Sequence, residues 1–173
     1  TTAATVFNGG FAANAASTIS TADNLDTLSL ISTDADANSG PNLRLYRNSG
    51  SPADGDAIGL IEFEGRNDNS QDVVYASIDA RVVDASDGTE DGRIELGTIL
   101  GGAAGISRIL MDGTETVFND NSADVDFRVE TNAQAYALFI DAASDTVTFS
   151  NQVVTMTHSG NGKQLELVST DAD

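Results

Sequence analysis

Polar and apolar residues alternate through the middle of the chain with the period of β-strands. Over Val73 to Val83, Val74, Ala76, Ile78, Ala80 and Val82 fall on one face, and Tyr75, Ser77, Asp79 and Arg81 on the other, because successive strand side chains point to opposite sides. The next run, Arg93 to Leu100, places Ile94, Leu96 and Leu100 inward and Arg93 and Glu95 outward. Between them Asp84-Ala-Ser-Asp-Gly-Thr-Glu-Asp-Gly92 holds two Asp-Gly pairs, which are turn formers. The pattern predicts a long hairpin, with Arg81 and Glu95 paired across it.

Shorter strands are expected at Leu28 to Thr33, Leu43 to Arg47, Ile58 to Glu64, Ser107 to Met111, Val125 to Thr131, Ala135 to Asp141, Thr146 to Phe149 and Gln164 to Ser169. Ser39-Gly-Pro, Ser49-Gly-Ser-Pro, Asp54-Gly, Asp112-Gly and Asn119-Asp-Asn-Ser separate many of them. Strands at this spacing, without helical segments between them, predict an all-β fold with antiparallel pairing. Two stretches stand apart. Ala12 to Ala22 admits a short helix, and Gly101-Gly-Ala-Ala-Gly105 reads as a loop, since each glycine disfavours a helix by about 1 kcal/mol relative to alanine.

One phrase occurs twice: Leu28-Ser-Leu-Ile-Ser-Thr-Asp-Ala-Asp36 and Leu165-Glu-Leu-Val-Ser-Thr-Asp-Ala-Asp173. Its copies match at seven of nine positions and are offset by 137 residues, as when one full period and the start of the next are cut from a tandem array. The phrase reads as a strand entering an acidic turn. The expected organisation is therefore residues 1–27 as the end of a preceding repeat or a linker, 28–164 as a β repeat module, and 165–173 as the start of the next repeat.

Composition changes the picture in one respect: the core must be thin. Val, Leu, Ile and Phe make up roughly a quarter of the 173 residues, and the net charge is -19, just on the folding side of the boundary with disorder. There is no Trp, and aromatic residues are 6%. Much of the remaining apolar fraction is alanine, which removes little surface from water. Self-association is the expected remedy. With 8 Lys plus Arg against 27 Asp plus Glu, phosphate backbones and anionic membranes are poor partners.

The absence of Cys excludes disulfide staples, thiolate metal sites and thiol nucleophiles. No apolar run approaches the roughly 20 residues of a membrane span; the longest, Ala135 to Ala143, contains Tyr136 and Asp141. Thr1 opens the chain with no basic or apolar leader, so a targeting signal is expected outside this segment or not at all.

Candidate chemistry is sparse. Asp34-Ala-Asp-Ala-Asn38 supplies closely spaced oxygen ligands, Asp34, Asp36 and Asn38, of the kind that suit calcium. Glycine arrives one place late, at Gly40, and Leu45 stands where an EF-hand has its bidentate Glu. The competing reading is a solvated turn capped by its own Asp side chains.

Asp84, Asp87, Glu90 and Asp91 offer a carboxylate pair in the manner of glycosidases, or the ordinary residues of a turn that keeps a sheet edge from aggregating. His158, the one histidine, sits beside a glycine-rich turn and reads as a loop residue, not a triad member. Tyr46, Tyr75 and Tyr136 offer sugar-stacking surfaces, against packing on neighbouring strands. Arg44, Arg47, Arg66, Arg81, Arg93, Arg108, Arg128 and Lys163 are spread singly and form no basic patch.

Several phrases together resemble modules that recur in tail-fibre and related structural proteins of tailed bacteriophages, marine ones especially. They are Ala35 to Asp54, Ile58-Gly-Leu-Ile-Glu-Phe-Glu-Gly65, Tyr75-Ala-Ser-Ile-Asp-Ala-Arg81, Asp87 to Glu95, Asp126-Phe-Arg-Val-Glu-Thr-Asn132 and Ala137-Leu-Phe-Ile-Asp141. The resemblance covers about residues 28 to 150. It implies a homotrimeric fibre shaft or adaptor on a virion and transfers no catalytic residue; other virion or fibre proteins are the expected partners, and the tyrosines offer a host surface glycan as a further one. The expected role is structural, supporting host attachment, without enzymatic activity. Its rivals are a secreted bacterial adhesin or self-assembling surface filament, and a carbohydrate-degrading tailspike.

Overall fold

The computed structural model describes residues 9–150. The chain divides into two units, Thr1–Arg44 and Leu45–Asp173. All secondary structure among the described residues is β, and all of it lies in the second unit. The strands are β1 (Ala57–Arg66), β2 (Asp72–Asp84), β3 (Asp91–Leu100), β4 (Ala103–Met111), β5 (Thr116–Phe118), β6 (Phe127–Thr131), β7 (Gln134–Asp141) and β8 (Thr146–Thr148). β1 to β5 form a five-stranded sheet in sequence order, and β6 to β8 form a three-stranded one. Every pairing is antiparallel, as expected for consecutive strands joined by short turns.

Register assembles one row of large apolar residues across all five strands: Ile61, Ile78, Leu96, Ile109 and Phe118. Flanking rows on the same face are Gly59, Ala80, Ile94, Met111 and Thr116, and Phe63, Ala76, Thr98 and Ile106. On the opposite face the equivalent row reads Leu60, Asp79, Glu95, Leu110 and Val117. The first face is apolar, and the second carries the charges of β2 and β3 between apolar residues of β1, β4 and β5.

Bulges interrupt that alternation. The register steps from Phe63 opposite Ala76 to Glu64 opposite Val74, so Tyr75 is the extra residue and the faces exchange beyond it. Val74 therefore borders the same groove as Ser77 and Asp79, not the face of Ala76 and Ile78. Gly65 makes room for the displaced ring: Tyr75 Cε2 lies 3.4 Å from where a Cβ on Gly65 would stand.

The Gly101 to Gly105 stretch is a hairpin turn followed by strand, not a loop throughout. Gly101 (φ 56°) and Gly102 (φ 85°) supply the two positive φ angles that a two-residue hairpin turn of matching twist requires. β4 begins at the next residue.

Leu28 to Thr33 and Leu43 to Arg47 are not strands, and Ala12 to Ala22 is not a helix. A strand exists only with a partner ladder, and these segments have none among the described residues. Leu28, Leu30 and Ile31 are exposed. Leu45 instead lays its side chain over Gly59, 3.2 Å from where a Cβ there would stand. β5, which sequence reasoning missed, is three residues long, too short to show a period. Gln164 to Ser169 and the second copy of the repeated phrase lie outside the described residues.

The core is as thin as composition implies. Among the described residues the only buried apolar side chains are Leu110 and Ala137. Replacing Leu110 by alanine should cost about 2 kcal/mol, the low end for a buried leucine, read as a lower midpoint in urea denaturation. An unchanged midpoint would mean that the β3–β4–β5 register around Leu110 is wrong.

Candidate functional site

The calcium candidates occupy a self-capped turn. Asp34 accepts the Asp36 N–H at 3.1 Å, and Asp36 accepts the Asn38 N–H at 2.8 Å. The Asn38 amide also donates to Asp36 at 2.8 Å. The Asn38 N–H holds the Asp36 carboxyl below its ordinary value, helped by the side-chain amide. Both acids thus spend an oxygen on their own backbone, which is how Asp shapes a tight turn. Among the described residues no three His, Cys, Asp or Glu side chains come together as a metal-binding group.

The acidic hairpin loop is built the same way. Asp84 accepts the Ser86 N–H at 2.8 Å and the Thr89 hydroxyl at 3.1 Å, and Glu90 accepts the Gly88 N–H at 3.1 Å. The Ser86 N–H is the main cause of a lowered Asp84 pKa. A glycosidase acid needs the opposite shift, so Asp84 is suited to holding the loop, not to protonating a leaving group.

The charged face carries an arrangement that sequence reasoning missed. Asp79 stands opposite Glu95, and Arg81 opposite Arg93, so like charges face each other across β2 and β3. Neutralisation runs along each strand instead: Arg81 Nε to Asp79 Oδ2 at 2.7 Å, and Arg93 Nη2 to Glu95 Oε2 at 3.8 Å. The expected Arg81–Glu95 pair is a diagonal neighbour, because the register sets Arg81 opposite Arg93 and Asp79 opposite Glu95. The signal was present in the Arg-x-Glu and Asp-x-Arg spacings, but the strand register decides which groups meet.

Each tyrosine has a neighbour. Tyr46 donates to Asn48 Oδ1 at 3.2 Å, and Tyr75 covers Gly65. Tyr136 meets Phe139 edge-on, with ring centroids 5.2 Å apart, beneath the Arg128 guanidinium at 5.2 Å. His158 and Lys163 lie outside the described residues.

A groove of about 620 Å³ opens where the two sheets meet, with Phe118, Val125, Phe127, Ile140 and Val147 among its lining residues. The Phe118 and Phe127 rings bridge the sheets with centroids 4.9 Å apart. Asp141 at its border accepts the N–H groups of Ala143 and Ser144, each at 3.0 Å, and so serves its own turn. The groove is apolar and carries no nucleophile paired with a base.

The self-capped turn predicts that the melting temperature in excess EDTA equals that in millimolar calcium, by differential scanning fluorimetry. A rise with calcium would restore Asp34, Asp36 and Asn38 as ligands, since a ligand that binds the folded state stabilises it. Compared with known proteins, the chain matches no family model, no curated protein and no solved structure.

Proposed function

We propose that this chain is a structural segment of an extracellular fibre assembled from copies of itself, a tail-fibre shaft or adaptor of a virion that supports attachment to a host surface. One observation carries the reading: two antiparallel sheets that bury only Leu110 and Ala137 among the apolar side chains of the described residues. Such a fold gains most of its apolar burial by association. The phrases resembling phage fibre modules supply the setting, and the repeated phrase supplies the tandem organisation.

Three copies suit the sheet. Five strands about 4.8 Å apart span about 24 Å, and three such sheets closing a triangle would each lie about 7 Å from its axis. That is close to half the roughly 10 Å spacing of packed sheets, so side chains can fill the centre. The role assigned is mechanical. The carboxylates at Asp84 and Glu90 are engaged with their own loop, which favours this reading over a carbohydrate-cleaving one.

Multi-angle light scattering on the purified chain should give the mass of three copies. A stable monomer would contradict the proposal, and open-ended polymers would replace the closed trimer with strand exchange between units.

A further inference from the structure

The row Ile61–Ile78–Leu96–Ile109–Phe118 crosses the entire five-stranded sheet, yet none of its members is buried. Ile61 is 38% exposed and Phe118 50%. We infer that this face of the sheet is the interface between copies of the chain, with the equivalent faces of the other copies around the fibre axis as its occupant. The claim that copies associate rests on the proposed fibre; which face they use is independent of it.

Area is the first argument. Four strands covered for about eight residues, or 26 Å, and the three residues of β5 present about 550 Å² per copy. Three such faces meeting at the axis remove about 1,650 Å², the standard size for specific interfaces. A contiguous apolar patch of this size also stands at the upper end of what a monomer exposes.

Charge is the second. A chain of net charge -19 repels its own copy wherever carboxylates must approach. The charged face holds Glu62, Asp79 and Glu95. The apolar face holds one ionic side chain, Arg108, whose Nε donates to Thr98 Oγ1, with Asp84, Glu90 and Asp91 at its rim. Two copies can therefore meet on the apolar face without desolvating a carboxylate. Bringing the charged faces together would bury like charges already opposed within each sheet.

The chain has no cysteine, so a single introduced thiol reports on either face. Leu60 and Ile61 are adjacent on β1 and point to opposite faces, with exposures of 52% and 38%. In the assembled protein Ile61→Cys should react with a maleimide at least about ten-fold more slowly than Leu60→Cys, and dilution to monomer should abolish the difference. Ile78→Asp, at the centre of the row, should convert the assembly to monomer. If that variant fails to fold, the thiol ratio still decides.

Equal rates in an assembled protein would overturn the assignment of this face and leave the fibre reading standing. Protection of Ile61→Cys that persists in monomer would assign the cover to another segment of the same chain and overturn it too. A wild-type chain that is monomeric at all concentrations would remove both.

Discussion

The structure depends on one hydrophobic row. Ile61, Ile78, Leu96, Ile109 and Phe118 stand side by side because four successive antiparallel registers place them there. A one-residue slip at any strand would send its member to the charged face. The row specifies register but does not complete a core, since none of its members is buried. What fixes the register of one chain therefore leaves apolar surface for the proposed association to cover.

The opposite face shows why the proposed association is directional. Asp79 against Glu95 and Arg81 against Arg93 are tolerated because each acid is neutralised by an arginine two residues along its own strand. These pairs are partly exposed and contribute little to stability. Their effect is to keep charge on this face, beside the buried Leu110, while the alanines and aliphatic residues of the other remain free of charge except at Arg108. Sheet polarity, thin core and strong net negative charge are thus one design.

Much of this was legible in sequence. The alternation over Val73 to Val83 and Arg93 to Leu100, with the Asp-Gly loop between, yielded the central hairpin, and five further segments were identified near their observed places. The misses share a physical cause. Leu28 to Thr33 has strand-like residues but no ladder partner, and pairing is a tertiary property that no local pattern contains. The bulges at Ile58, Tyr75, Val83 and Arg108 each shift register by one, and the one at Tyr75 moves Val74 to the other face. Gly101 to Gly105 looked like a loop because glycine is poor in both regular structures, although positive φ is what a tight hairpin turn needs. Site chemistry was legible only as residue types: Asp34, Asp36 and Asp84 are where turns were expected, but their hydrogen bonds to their own backbone emerge only in three dimensions.

The central claim, that folding of this chain is completed by association, is tested most directly by the protein-concentration dependence of its thermal unfolding. If copies complete each other's core, folding and assembly are linked by mass action, and the melting temperature must rise steadily with total protein concentration over a hundred-fold range. A melting temperature independent of concentration over that range would contradict the account.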